Sequence, residues 1–330
     1  MNPSARFRIR QYLKPLLAEG IELSEFVAPF GTYPPKCREI RPIWAGATLI
    51  SRLPGIVSSY TFDLTLFQRE MLSTFATLEP LAKRPRVLDV DDAIWLHPRG
   101  MFAARLASIC QGVICGNAFL AEQMSRWNPR VVIIPTPVDT DRFVPNKPVS
   151  EPIIGWSGTR SSLKYLHMIE PAIAAVLREI PDATLRLVCD ERPTFASISP
   201  DRIEFIQWSE RIEVSAIQGM ALGIMPLEST PWAMGKCSFK MLSYMACGLP
   251  VVVSPVGMNE EVLKRGNIGL PACTSEDWIE ALTRLLEDVD MRLRMGREAR
   301  RVVVESYSVR CLVPLLARTL AEFAGKGKSS

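Results

Sequence analysis

Short aliphatic runs separated by helical patterns recur along the chain, and that alternation dictates a parallel α/β architecture. "RVLDV" (86–90), "GVIC" (112–115) and "RVVIIP" (130–135) are apolar runs, with "RGMFAARLASIC" and "NAFLAEQMSRW" as helical stretches between them. Strands that alternate with helices pair in parallel, because parallel neighbours need a long crossover connection. "PTPVDTDRFVPNKPVSEP" (135–152) carries five prolines among polar residues and reads as a linker. Beyond it the pattern restarts: strand "PIIGWSG", helix "YLHMIEPAIAAVLREI", strands "ATLRLVCD" and "RIEFIQW", helix "EVSAIQGM", strand "LGIMPL". "EDWIEALTRLLEDVDMRLRMGREARRVVVES" closes the pattern with helices. The expectation is two doubly wound, Rossmann-like domains facing a cleft, over 1–148 and 152–308, with "VRCLVPLLARTLAEFA" (309–324) crossing back to the first. At 330 residues the chain also fits two domains of about 150 residues each.

Composition excludes several classes. A net charge of +4 is too mild to indicate nucleic acid. No apolar run approaches the ~18 residues a bilayer span requires. Arg6, Arg8 and Arg10 fall where the apolar core of a signal peptide would lie. Eight cysteines without a C-x-x-C pair read as reduced core thiols of a cytosolic protein. Zinc is not expected, since the two histidines, His97 and His167, lie at no ligand spacing from a cysteine pair.

Ligands of open α/β sheets bind outside the carboxyl ends of the strands, on helix N-termini. Three loops of the second half meet that description. In "GWSGTRSSLKYL" (155–166), Gly155 and Gly158 let backbone approach a ligand, while Ser157, Thr159, Arg160 and Lys164 supply donors. The alternative is a purely structural polar loop. In "GKCSFKMLSYMACGLPVVVSP" (235–255), Lys236 and Lys240 are four apart, which predicts one face at a helix start. Cations there oppose the helix dipole at about 0.3–1 kcal/mol each. With the N–H groups of Ser238 and Phe239 they would form an anion cradle; otherwise both lysines extend into solvent. The third loop, "SPVGMNEEVL" (254–263), offers Asn259 and Glu260, with Glu261 read as favouring the helix N-terminus.

The segment "GIMPLESTPWAMGKCSFKMLSYMACGLPVVVSPVGMNEEVL" resembles the donor-binding region of group-1 (family 4 type) retaining glycosyltransferases of the GT-B fold. It is most similar to the branch with a Pro-Trp…Gly-Lys-Cys…Lys…Tyr-Met-Ala signature. "IIGWSGTRSSLKYL", "VLDVDDAIWL", "GNAFLAEQM" and "VVIIPTPVDTDRF" extend the resemblance over nearly the whole chain. It implies transfer of a sugar, with retention, from a UDP- or GDP-linked donor to a saccharide or lipid-linked acceptor, without metal or cofactor. A non-catalytic nucleotide-sugar-binding or scaffolding relative is the alternative. The diphosphate would meet Gly158, Thr159, Arg160, Lys164, Lys236, Ser238, Phe239 and Lys240, where fixed positive charge answers the charge that develops on the leaving group.

The resemblance also places the nucleoside and sugar near Trp208, Ser209, Ser243, Asn259 and Glu260, with Trp208 equally readable as core. In the acceptor-side domain, Asp91 and His97 are read with Lys240 as catalytic candidates, and Arg8, Asp92 and Asn117 as acceptor-side residues. Asp92 also reads as a helix cap. Asp89 and Asp91 mimic a D-x-D metal motif, but no metal site is assigned.

Two departures from the family stand out. The two glutamates that many members keep seven residues apart correspond to Gly235 and Ser243, and the stretch ahead of "FRIRQYLKPLLAEG" reads as lacking the family's first strand of the N-terminal domain. Arg6, Arg8, Arg10 and Lys14 read either as a solvated helix face or as a contact with anionic lipid or a phosphate-bearing acceptor. The expected location is cytoplasmic, with peripheral contact at the inner membrane face as the alternative.

Overall fold

A computed structural model describes every residue except 1–2, 28, 31–33, 36, 73–76, 98–99 and 327–330. The chain divides into two compact units: Met1–Thr136 with Met234–Cys237 and Val309–Ser330, and Pro137–Ala233 with Ser238–Ser308.

The first unit begins with helices α1 (Pro3–Arg8), α2 (Leu13–Ala18) and α3 (Arg41–Ser58). Four parallel strands follow: β1 (Thr65–Gln68), β2 (Arg86–Val90), β3 (Gly112–Cys115) and β4 (Val131–Ile133), ordered β1-β2-β3-β4. Helices α4 (Met101–Ile109) and α5 (Ala118–Ser125) connect β2 to β3 and β3 to β4. Among the described residues no strand precedes β1. β2 and β3 are buried throughout, as continuous apolar runs of a parallel sheet must be.

The basic N-terminal segment is not a solvated helix face. It is two short helices joined by a 3-10 turn, with Arg6 and Arg8 buried and Arg10 paired to Glu25 at 2.8 Å; of its four cations Lys14 alone is exposed. Arg8 is drawn inward by a carboxylate, described below, which corrects its reading as a surface contact for lipid or acceptor.

The second unit contains β5 (Ile153–Ser157), α6 (Leu163–Met168), α7 (Glu170–Glu179), β6 (Thr184–Cys189), β7 (Ile203–Gln207), α8 (Glu213–Gln218) and β8 (Leu222–Met225). Then come α9 (Pro231–Met234, ending in the first unit), α10 (Phe239–Ala246), β9 (Val251–Val253), α11 (Met258–Leu263), β10 (Gly269–Pro271), α12 (Ser275–Glu287) and α13 (Val289–Ser306). One helix was expected over 165–180; Pro171 lacks the N–H and restricts its predecessor, so the helix breaks into α6 and α7 at Ile169.

All six strands are parallel, ordered β10-β9-β8-β5-β6-β7. The chain runs outward from β5 through β7, returns to β8 beside β5 and proceeds the other way. The strand order therefore reverses between β5 and β8, where such sheets open a ligand crevice.

Leu177 of α7 and Trp278, Leu282 and Leu285 of α12 share one buried core with Ile154, Leu185, Leu187 and Ile224 of the strands. Thr274 and Asp277 close a capping box on α12. Residues 137–148, expected in the first domain, pack with the second unit: Val138 N–H donates to Tyr307 O (2.8 Å), and Arg300 binds the carbonyls of Thr140 and Phe143.

The last helix, α14 (Val309–Phe323), belongs to the first unit. Its Val309, Leu312, Leu316, Leu320 and Phe323, at helical spacing, pack with Tyr12 and Leu16 over Val87, Ile114 and Ile134. Each large side chain so buried stabilises by about 1.5–3 kcal/mol. Gly112 is required under Phe323, because a Cβ there would lie 2.2 Å from the ring. Among the described residues no helix is long and apolar enough to cross a membrane.

Candidate functional site

In the second unit, three loops at the carboxyl ends of β5, β8 and β9 are tied together around the N-terminus of α10. Ser157 N–H, at the end of β5, donates to Tyr244 Oη of α10 at 2.7 Å. Lys240, in the first turn of α10, holds its Nζ 4.9 Å from the centroid of the buried Trp156 ring. Gly158 runs past both: a Cβ would meet the Trp156 ring at 2.5 Å and Lys240 Nζ at 2.8 Å. Only glycine permits this approach. Ser238 donates to Asn259 Oδ1 (2.6 Å), Asn259 Nδ2 donates to Ser254 O (3.1 Å), and Leu227 N–H donates to Ser254 Oγ (3.0 Å). The result is an ammonium beside a helix N-terminus at the point where the strand order reverses, an arrangement suited to an anion.

Other predicted residues of this unit take different places. Lys236 is not on α10. Ser238 adopts φ 51°, ψ 24°, in the left-handed region, so the helix starts at Phe239 and the four-residue spacing does not place both lysines on one face. Asn259 is fully buried, with its amide engaged by Ser238 and Ser254, so it positions the loops rather than facing a ligand. Ser243 is buried and donates to Phe239 O at 2.8 Å within its own helix, which removes it as a sugar contact. Glu260 is exposed at the start of α11 and pairs with Lys264 at 2.6 Å.

Arg160 pairs with Glu191 at 2.8 Å, and its N–H donates to Asp190 Oδ1. Thr159 bonds Ser161 (2.9 Å), and Lys164 is exposed, over the Tyr165 ring. Trp208 is half-buried, its indole N–H reaching Glu213 at 3.4 Å; Ser209 accepts the first N–H groups of α8 through its carbonyl.

The first unit has its own polar centre, at the carboxyl end of β2. Arg8 grips the buried Asp89 with two nitrogens, Nε at 3.0 Å, and donates to Ile134 O at 2.7 Å. Burial opposes the Arg8 charge, yet Asp89 outweighs it and pushes the guanidinium's pKa up. Arg69, itself at φ 68°, binds Asp91 at 2.9 Å and also contacts Asp92. Burial opposes the Asp91 carboxylate, but Arg69, Ser4 and Arg8 outweigh that and hold it below the usual carboxylate range. Lys236 Nζ donates to Asp92 at 3.2 Å. Burial, then the charges of Arg69 and Lys236, lower the His97 pKa against the opposing pull of Asp92, so the ring is neutral at pH 7. Asp89 and Asp91 are thus spent on arginines, and no group of three His, Cys, Asp or Glu among the described residues is placed to hold a metal.

Asn117 is a structural tie. Its Oδ1 caps α5 by accepting Leu120 N–H at 2.9 Å, and its Nδ2 donates to the carbonyls of Met234 and Lys236. Gly116 leaves room for Cys237 Sγ, 2.2 Å from where its Cβ would be, and Gly235 lies against Ala93. Asn117 is thereby removed from the acceptor-contact set, since it is buried and fully engaged. Sequence reasoning missed Arg69, which lies on neither an apolar period nor a motif; Tyr244 stands in the Tyr-Met-Ala signature, but the sequence assigns it no role.

Residues 151–288 match the family model described as Glycosyl transferases group 1. The chain is 25% identical over 167 residues to D-inositol 3-phosphate glycosyltransferase of Corynebacterium glutamicum (strain R), covering 46% of this chain and 39% of that protein. Its Corynebacterium aurimucosum counterpart is 24% identical over 208 residues, covering 54% and 48%. The chain thus spans less than half the length of these curated relatives. Among solved structures, sucrose-phosphate synthase from Thermosynechococcus elongatus superposes with a TM-score of 0.73 at 17% identity, over 96% of this chain and 93% of that one. Anabaena HepE in complex with UDP-glucose superposes at 0.66 with 16% identity, over 94% and 88%. The fold is therefore that of the GT-B glycosyltransferase structures, with two parallel-sheet α/β domains.

Proposed function

We propose that the protein is a group-1 glycosyltransferase that moves a sugar, with retention, from a nucleoside-diphosphate sugar to a saccharide or lipid-linked acceptor. The observation that carries this reading is Lys240, held against Trp156 and Gly158 at the N-terminus of α10, where the strand order reverses. A diphosphate there meets the ammonium and the N–H groups of α10. As the bond from sugar C1 to phosphate oxygen breaks, these donors stabilise the growing negative charge. The acceptor oxygen bonds C1 on the face the phosphate leaves, and its proton passes to the departing diphosphate. No metal or further cofactor is required in this scheme. The UDP-glucose complex of the structurally similar HepE motivates a UDP-linked donor, with GDP as the alternative base.

Calorimetric titration with UDP and GDP tests the reading. Saturable binding of one is expected, followed by sugar transfer from the matching donor; absence of binding by either at millimolar nucleotide overturns it. Binding without transfer is the second reading, favoured by the engagement of Ser243 within α10 and by Gly235, which leave both family glutamate positions without a carboxylate. Sugar release or transfer from any donor would eliminate that second reading.

A further inference from the structure

The second unit also contains a cavity of about 360 Å³, and it lies at the amino ends of β5, β8 and β9, opposite the carboxyl-end loops described above. Its walls come from the segments leading into β5, β8 and β9, from the C-terminal end of α10, and from one face of α13. The volume falls in the range of small-molecule sites, about 300–1,000 Å³.

Its charge is one-sided. Lys147, Arg292, Arg297 and Arg300 line it, and no aspartate or glutamate does. Arg292 is buried and bonds only carbonyls, those of Leu285 (3.2 Å), Leu286 (3.1 Å) and Val149 (3.4 Å). Arg300 likewise bonds the carbonyls of Phe143 (2.5 Å), Ala246 (2.7 Å) and Thr140 (2.8 Å), and the nearest acid it senses is the exposed Asp141. Carbonyls at helix ends satisfy N–H groups but supply only partial charge. Burial disfavours both guanidinium charges and lowers their pKa values. Lys147 and Arg297 stand exposed at the rim and make no ion pair among the described residues.

We propose that this cavity binds a small multivalent anion, a phosphate or carboxylate compound. Lys147 and Arg297 would contact it directly, and the wall guanidiniums would supply the field. A net positive, partly desolvated pocket without a carboxylate is completed by a ligand that brings the missing charge. The site is separate from the nucleotide reading: α10 contributes its N-terminus to one and its C-terminus to the other.

The test is calorimetric titration of the full chain with inorganic pyrophosphate and, separately, citrate. Lys147 and Arg297 are exposed, so the double variant Lys147→Ala/Arg297→Ala keeps its fold. Binding is expected in the wild type and in Lys240→Ala, with roughly tenfold or greater weakening when the double variant is made in the Lys240→Ala background, where the nucleotide site no longer competes for pyrophosphate. A preference for pyrophosphate assigns the site to phosphate chemistry, and equal binding assigns it to charge. The proposal is overturned if neither probe binds at millimolar concentration, if adding Lys147→Ala/Arg297→Ala to Lys240→Ala leaves binding unchanged, or if Lys240→Ala alone removes binding.

Discussion

Replacing Lys240 by alanine separates a nucleotide-binding lysine from one that merely covers Trp156. The side chain is held with its Nζ 4.9 Å from the Trp156 centroid, so little conformational freedom remains to be lost when a phosphate arrives. A charge-assisted contact of this kind contributes about 1.5–3 kcal/mol. Its removal should raise the Kd for UDP roughly ten- to 150-fold. The cation–π contact is lost too, but it is present without nucleotide; its ~0.5–2 kcal/mol belongs to folding and appears in urea denaturation instead. The two effects are therefore separable within one variant. Lys240→Arg retains the charge and should keep most of the affinity. Raising the salt from 0.1 to 1 M shortens the Debye length from about 10 to about 3 Å, so the gap between wild type and alanine variant should narrow. A folded Lys240→Ala protein that binds UDP within twofold of wild type would refute the assignment.

Three further outcomes are expected. Gly158→Ala drives a methyl to 2.5 Å from a buried indole and 2.8 Å from Lys240 Nζ, so it should cost about 1–3 kcal/mol in urea denaturation and weaken UDP binding; unaltered stability would show that the loop yields. Asn117→Ala removes the cap of α5 and both donors to the carbonyls of Met234 and Lys236, a loss of about 2–4 kcal/mol, whereas Asn117→Asp retains the cap and should lose less; equal losses would contradict the role of the Oδ1 cap, and an Asn117→Asp protein as stable as wild type would contradict the role of Nδ2. His97 has a depressed folded pKa, so it contributes no pH dependence above the unfolded value of about 6.5; stability should fall as pH drops from there toward the folded pKa, and His97→Gln should flatten that segment. An NMR titration in which His97 protonates at or above the ordinary histidine value would contradict the lowered pKa.

Local rules carried the sheet-forming segments because their signal is local. The aliphatic runs that became β2, β3, β5 and β8 are buried on both faces, and no nearby residue can mask such a run. β1 and α3 escaped for the converse reason: "TLFQ" is a half-buried edge strand and α3 keeps Pro54 inside its span, so neither shows a clean period. Charges were read least well. Arg8 is 81 residues from Asp89 and Arg69 is 22 from Asp91, and a sequence does not display which cations have a carboxylate waiting across the fold. The basic N-terminal run therefore looks like a surface, whereas two of its arginines are buried.

Lys236 and Lys240 show why the candidate site was only half legible. Helical spacing makes them a pair, but one residue between them, Ser238, takes a left-handed conformation and ends the argument from periodicity. The chain passes from the first unit to the second between Cys237 and Ser238. Lys236 is accordingly held by Asp92, on a segment that Asn117, Gly116 and Gly235 pin to the first unit, while Lys240 is held by Trp156 in the second. Neutralising Lys240 removes a charge held beside the Trp156 ring in the second unit, and on the proposed reading its cost falls on a bound anion. Neutralising Lys236 instead leaves Asp92 to Arg69, so part of its cost is felt without any ligand. The single-variant losses of UDP affinity are therefore expected to differ, and in a double-mutant cycle they should sum, since groups set in separate networks add rather than couple. A coupling above about 0.5 kcal/mol would contradict the separation.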